Sequence, residues 1–308
     1  MTKVFIDGSA GTTGLRIKDR LAQRQDITLL KLPEELRKDT AARKEALAAA
    51  DIAFLCLPDA AAVEAVALAE GTDTVLIDTS TAHRTADGWE YGFSELSGRR
   101  ERIASAKRIA NPGCHAGGFI ALTAPLVSAG IIPADAVLSC FSLTGYSGGG
   151  KKMIEEYSAP DRDPLLDAPR MYGLSQEHKH LKEMAKISGL HALPLFCPIV
   201  APFYAGMEVT VTLARGAIRG SMEDIREVYR TYYQSGLVRY EDSLDRDGFI
   251  SAAAMAGRDD MRITCYGNSE RITLVSVFDN LGKGASGSAI QNMNTVMGVA
   301  QETGLVIF

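Results

Sequence analysis

Over the first third of the chain the apolar positions fall in short continuous runs. "KVFID" (residues 3–7), "ITLLKL" (27–32), "DIAFLCL" (51–57) and "TVLIDTS" (74–80) each have the length and unbroken apolarity of a strand buried on both faces. Helical spacing separates them, as in Leu15, Ile17 and Leu21 after the first run and "RKDTAARKEALAAA" after the second. Alternating strand and helix predicts an α/β unit built on a doubly wound parallel sheet. "KRIAN" (107–111) adds one more strand, which runs into Cys114.

Beyond residue 114 the pattern changes. Longer β-type runs appear in "AVLSCFSLTG", "HALPLFCPIV", "MEVTVTLARG", "RITCYGN" and "RITLVSVFDN", with helical stretches such as "SMEDIREVYRTYYQSG" between them. This mixture predicts an α+β domain with a largely antiparallel sheet. The closing "GASGSAIQNMNTVMGVAQETG" is again helical, with small residues along one face, and is expected to return to the first domain. The expected division is therefore 1–114 completed by a C-terminal helix within 284–308, with 115–283 as the second domain.

At 308 residues the chain has room for two domains, and 46% hydrophobic with 23% charged residues is ordinary for a soluble protein. A net charge of −5 argues against a general nucleic-acid or membrane surface, so any phosphate binding must be local. No apolar run reaches the roughly 18 residues that span a bilayer, and a strand at the very start leaves no place for a secretory signal. Cys56, Cys114, Cys140, Cys197 and Cys265 are odd in number and widely spaced, unlike a disulfide framework or a metal knuckle. No zinc cluster is suggested by the histidines either. A cytoplasmic protein without a metal is expected.

"DGSAGTTGLRI" sets Gly8, Gly11 and Gly14 between a strand and a helix. Such a turn lets backbone N–H groups approach a pyrophosphate while the helix dipole favours its charge; glycines also make tight turns with no ligand. After the second strand, "KLPEELRKD" offers Glu34 and Glu35, then Arg37 and Lys38. The basic pair favours NADP(H), whose 2′-phosphate needs cations; the alternative is a solvated helix start.

Cys114 follows Asn-Pro-Gly and opens a long apolar helical pattern. Free N–H groups and the positive end of a helix dipole favour thiolate there, and a thiolate is a nucleophile able to form a covalent adduct. A small buried hydrophobe is the other reading, and the one expected for the remaining four cysteines.

The order of "NPGC", "TGYSGGGKK", "HKH" and "DNLGKGASGSAIQNMN" behind a glycine turn resembles the N-acetyl-γ-glutamyl-phosphate reductase family in its shorter form, from Met1 to Phe308. Aspartate-semialdehyde dehydrogenases are its wider relatives. Gly117 departs from the Thr of many members. The resemblance implies a Rossmann-type domain completed by the C-terminal helix, NADP(H) as cofactor and an acyl phosphate as substrate. It implies Cys114 as nucleophile and a pyrophosphate site at Gly8, Gly11, Thr12, Thr13 and Gly14. It also implies Ser80, Asn280 and Gly284 near the nicotinamide, and Arg84 and Asn111 at the substrate. A guanidinium suits phosphate because it can donate two parallel hydrogen bonds. Lys151 and Lys152 are second candidates for that charge. The acid/base is expected in the H-x-H segment, with His178 preferred over His180, since His178 stands at the expected entry to a helix and His180 within it.

The expected reaction is NADPH-dependent reduction of N-acetyl-γ-glutamyl phosphate to the semialdehyde through a cysteine thioester, in arginine biosynthesis. The rivals are an aspartate-semialdehyde dehydrogenase, a non-catalytic NADP-sensing protein and a cysteine hydrolase. The last leaves the glycine loop without a use. A homo-oligomer, dimer or tetramer, is expected through the second domain's sheet.

Overall fold

The computed structural model describes residues 1–234 and 236–307. It divides into two units: Met1–Pro112 with Ala285–Leu305, and Gly113–Gly284 with the last residues from Val306. The first boundary falls two residues before the one expected, and the last residues belong with the second unit.

In the first unit the order is β1 (Thr2–Asp7), α1 (Thr12–Leu21), β2 (Ile27–Leu30), α2 (Thr40–Ala49), β3 (Ile52–Leu55), α3 (Asp59–Leu68), β4 (Val75–Asp78), β5 (Glu90–Tyr91), α4 (Arg99–Ser105) and β6 (Arg108–Ala110). The strands pair in parallel in the order β2-β1-β3-β4-β6-β5, with Val4 opposite both Leu29 and Ile52. Because both faces are covered, the strands are apolar throughout. Val4, Ile6, Phe54 and Ile77 pack with α1, while Phe5, Ala53, Leu55 and Leu76 pack with α2 and α3. Arg43 on α2 is buried and ion-paired to Asp7 at the end of β1 (Nη2–Oδ2 3.0 Å) and to Glu64 on α3 (2.8 Å). This pair ties both helices to the strand that carries the glycine loop.

The second unit contains α5 (Cys114–Ser128), β7 (Ser139–Gly145), α6 (Gly150–Ser158), β8 (Arg170–Met171), α7 (Leu181–Ser188), β9 (Leu195–Ala201), β10 (Met207–Ala214), α8 (Met222–Tyr232), β11 (Val238–Tyr240), β12 (Met261–Gly267) and β13 (Arg271–Phe278). Its sheet runs β11-β12-β13-β10-β7-β9-β8, antiparallel except for β11–β12 and β7–β9. The expected mixed, mostly antiparallel architecture is therefore present. β9 occupies only the later part of "HALPLFCPIV", and His191 precedes it.

Helix α5 is buried along almost its whole length, against β10 and β13 on one side and α7 and α8 on the others. Pro125 inside it has no N–H to give to the Ala121 carbonyl. The Tyr233 hydroxyl donates to that carbonyl at 2.8 Å, and Tyr229 donates to the Leu122 carbonyl at 2.6 Å. Both phenols come from the end of α8 or just beyond it, so a polar defect in a buried helix becomes two ties to its neighbour.

The far face of this sheet is covered over β12 and β13 by the chain's own Leu244, Ile250 and Met255, packed on Val275 and Val277. Over β7, β9 and β10 it is open. There Phe141 is 44% and Leu195 55% exposed, with Leu143, Cys197 and Ile199 half-buried around them.

A π-turn at Gly282–Ser286 leads into α9 (Gly287–Met297), shorter than the expected closing helix and ended by Gly298 in the left-handed conformation. Helix α9 completes the first unit by placing Ala289, Ile290 and Met293 among Ile17, Ile103 and Ile109.

Candidate active site

The nucleotide loop is built at the end of β1. Gly8 has φ +87°, and a side chain there would collide with the Cys56 carbonyl, so only glycine fits. Gly11 is the N-cap of α1, with no side chain capping it, and Thr12, Thr13 and Gly14 form the first turn. A loop that brings backbone this close and leaves a helix start uncapped by any side chain fits a pyrophosphate. Past β2, Arg37 is half-buried and paired with Glu34 (2.5 Å), and Lys38 is exposed.

In the same unit Asp78, wholly buried at the end of β4, organises "STAHR". Its carboxylate accepts from the Ser80 hydroxyl (2.7 Å) and the Ser80 N–H (2.9 Å) and meets His83 Nδ1 (2.6 Å). The His83 ring stacks on Trp89 at 4.1 Å. Arg84 Nε donates to the Asn111 carbonyl (3.0 Å) and Nη2 to the Thr79 carbonyl (3.1 Å). Asn111 itself donates through Nδ2 to the Ala285 carbonyl and accepts from Asn292, both at 3.1 Å. The structure thus brings Ser80, Arg84 and Asn111 together as a braced loop cluster.

In the second unit Cys114 is the first residue of α5, behind the N-cap Gly113. The Gly113 N–H donates to Glu183 Oε2 at 3.2 Å, and Glu183 is buried on α7. Gly284 lies beside the nucleophile candidate: a Cβ on it would stand 2.9 Å from the Cys114 Cβ. The Asn280 side chain joins elements within this unit, accepting from the Gly206 N–H (2.9 Å) and donating to the Ser147 hydroxyl (3.0 Å). Lys151 and Lys152 are exposed at the start of α6.

Three histidines gather next to Cys114. The ring centroids of His115, His178 and His180 lie 4.7–5.9 Å apart, with Phe196 packed edge-on against the first two. His180 is not inside a helix, as its spacing suggested. It is the buried N-cap of α7, with Nε2 3.8 Å from Glu183 Oε1. His178 precedes it and is half-exposed. The His180 backbone N–H donates to His178 Nδ1 at 3.2 Å, which leaves Nε2 to carry the proton of the neutral ring.

Sequence reasoning missed Tyr172, Ser142 and Glu183. Tyr172 hydroxyl meets His115 Nε2 at 2.7 Å, and His115 Nδ1 meets Ser142 Oγ at 2.6 Å. Burial pushes the Tyr172 phenol well up, and the nearby Cys114 thiolate adds to the shift. It therefore stays a hydrogen-bond donor at neutral pH. Burial, with His178 adding to it, pushes His115 down to about 3, so this ring stays neutral. Among the described residues no group of histidine, cysteine and carboxylate side chains is arranged to hold a metal, and no helix is long and apolar enough to cross a membrane.

Residues 9–106 match the semialdehyde dehydrogenase NAD-binding domain, and residues 114–280 match the semialdehyde dehydrogenase dimerisation domain. The fold is similar to aspartate semialdehyde dehydrogenase II from Vibrio cholerae, with a TM-score of 0.71 and 16% identity over 96% of this chain and 98% of that one. Aspartate semialdehyde dehydrogenase from Candida albicans, solved with NADP, gives 0.67 and 14%, covering 96% and 98%. Among curated relatives, N-acetyl-gamma-glutamyl-phosphate reductase 2 of a Nostoc species is 43% identical over 98% of this chain and 99% of its own. The Brucella ovis reductase of the same name is 44% identical over 96% and 99%.

The depressed His115 pKa has a consequence for stability. The unfolded ring takes a proton near pH 6.5 and the folded one only near 3, so the stabilisation is complete above pH 6.5. It is lost as pH falls between those values, by about 1.4 kcal/mol per pH unit. Urea unfolding at pH 7 and pH 5 should show this slope in the native protein and a flatter one in His115→Gln; equal slopes would place the buried ring's titration elsewhere.

With a full-length match at this identity and both halves of the semialdehyde dehydrogenase architecture in place, the chain belongs to the N-acetyl-gamma-glutamyl-phosphate reductase family.

Proposed function

We propose that the protein reduces N-acetyl-γ-glutamyl phosphate to N-acetylglutamate semialdehyde, a step of arginine biosynthesis, with NADPH as donor. The observation that carries this reading is the full-length likeness to reductases of that name, joined to a thiol at the mouth of α5 beside paired histidines.

The Cys114 thiolate attacks the acyl carbon, the carbon–oxygen bond to phosphate breaks, and a thioester remains. NADPH held at the glycine loop would supply the hydride for reduction of this thioester to the hemithioacetal. His178 moves the proton at the hemithioacetal oxygen through Nε2, held in place by the His180 N–H on Nδ1. The carbon–sulfur bond then breaks and releases the aldehyde. His178 is preferred to His180 because His180 is buried against Glu183. The loop at Gly8, Gly11, Thr12, Thr13 and Gly14 holds the pyrophosphate, and Arg37 and Lys38 read the 2′-phosphate. The support for NADP over NAD is the charge of that pair. Ser80, Arg84, Asn111 and Asn280 are assigned as residues that shape the site around nicotinamide and substrate, since each is engaged within its own unit. Gly284 leaves room beside Cys114.

The protein acts as a homo-oligomer in a cytoplasmic setting. The support is an apolar patch left open over β7 and β9, bordered by Glu208, Thr210 and Thr212 of β10, in a domain matched to a dimerisation model.

A reverse assay with NADP⁺, phosphate and each semialdehyde should favour the N-acetylated compound; faster turnover of aspartate semialdehyde would move the protein to the neighbouring activity. In that assay Cys114→Ser should bind NADPH and not turn over. His178→Ala should lower kcat on the order of 10²–10⁴-fold, and a larger loss in His180→Ala would exchange the two roles.

Replacing Arg37 and Lys38 by Ala should weaken NADPH roughly tenfold or more, because charge-assisted hydrogen bonds contribute about 1.5–3 kcal/mol each. NADH should be little affected, and equal losses would assign the 2′-phosphate to other residues. Phe141→Asp should shift the sedimentation coefficient to that of a monomer, and an unchanged assembly would exclude this face.

A further inference from the structure

Asn111, the first residue of Asn-Pro-Gly-Cys, is bonded on four sides within the first unit. Its N–H donates to the Asp78 carbonyl (2.7 Å), and its carbonyl accepts from Arg84 (3.0 Å). Its Nδ2 donates to the carbonyl of Ala285, where the chain re-enters this unit. Its Oδ1 accepts from Nδ2 of Asn292, a residue of α9 that is 1% exposed.

The Asn292 amide has two hydrogens and spends both. One goes to Asn111 Oδ1 and the other to the Gly92 carbonyl at 3.0 Å. Gly92 in turn donates its N–H to the Ala110 carbonyl, one residue before Asn111. The fit around this amide is close, because a Cβ on Gly92 would collide with Asn292 Nδ2 and lie 2.9 Å from its Cγ. Asn292 therefore fastens β5, the end of β6 and the start of the Cys114 turn to one helix.

We propose that Asn292 is a positioning residue for the nucleophile. Pro112 has its φ fixed by its ring, so little torsional freedom separates the held Asn111 from Gly113 and Cys114. Releasing the amide lets the turn depart from a different backbone position. A misplacement of about 1 Å at a reacting group costs on the order of 10²-fold in rate. The proposal rests on the reading of Cys114 as nucleophile given above.

The test compares Asn292→Ala, Gly92→Ala and the double variant in the full-length protein. Four quantities are measured: kcat in the reverse assay, NADP⁺ affinity, melting temperature, and the rate at which iodoacetamide alkylates Cys114, followed by peptide mass spectrometry. Gly92→Ala displaces the same amide without substituting any residue of α9, and Gly92 does not have a positive φ, so alanine suits its backbone. Each single variant should lose kcat by roughly tenfold to 10²-fold and change the Cys114 alkylation rate, with NADP⁺ affinity unchanged. Because alanine at 292 removes the atoms that alanine at 92 would strike, the double variant should be no worse than Asn292→Ala alone.

A lower melting temperature with unchanged kcat and alkylation rate in both single variants would make the amide a packing group only and overturn the proposal. Losses that multiply in the double variant, or NADP⁺ affinity falling in step with kcat, would also overturn it. If Cys114→Ser turned over normally, the reading of the nucleophile would fail instead. The alkylation rates would still report whether Asn292 positions Cys114.

Discussion

The site depends on the burial of α5. A helix exposed on one face can shift and tilt, whereas one packed on β10, β13, α7 and α8 has its start fixed by the whole domain. Cys114 stands at that start. The same burial forces every polar group on the helix to find a partner, because an unmet carbonyl inside the domain costs about 1–3 kcal/mol. Tyr229 and Tyr233 meet the carbonyls around Pro125, and Thr123 donates to the Phe119 carbonyl and pairs with Ser188 of α7. Part of what holds the Cys114 end of α5 is thus assembled 7 to 11 residues downstream of it.

Much of the first unit was legible in the sequence because its signals are local. Strands buried on both faces leave continuous apolar runs, and Gly8 marks a turn that no other residue can make. Cys114 was legible for the same reason, lying between a turn and a helix within a few residues. The histidine cluster was not. His115 meets Tyr172 across 57 positions and Ser142 across 27, and Glu183 reaches Gly113 across 70. No spacing rule covers such distances, since they follow from the pairing of β7 with β9 and the docking of α7 on α5. His180 was misplaced by a smaller error: its "H-K-H-L-K-E-M" context suggests a helix already begun, but the helix starts one residue later and His180 caps it.

The closing helix shows a related limit. Its small residues suggested close packing, and Ala289 does pack in the core. The polar residues between them do a different task. Gln291 donates to Ser94 and Glu95, Asn292 to Gly92 and Asn111, and Asn294 to the carbonyls of Gln301 and Thr303 while accepting from Arg24. A helix that returns from the far end of the chain could slide along the sheet if only apolar contacts held it. Directional bonds from three successive amide-bearing positions fix its register, and each net hydrogen bond adds about 0.5–1.5 kcal/mol.

Two groups around Cys114 each keep one protonation state near neutral pH. His115 is held neutral and Tyr172 protonated, both mainly by burial. The Tyr172 hydroxyl and His115 Nε2 are hydrogen-bonded to each other, so the proton on Tyr172 has a fixed neighbour. Glu183 introduces the opposing element, a carboxylate that bonds the Gly113 N–H directly ahead of the thiol. A negative charge there is favoured by the α5 dipole but repels a thiolate. His180 Nε2 stands 3.8 Å from Glu183 Oε1 on the same helix start. His178 is half-exposed, and its Nδ1 accepts from the His180 N–H. On the reading proposed above this ring carries the proton, beside a His115 ring and a Tyr172 phenol that each keep one protonation state.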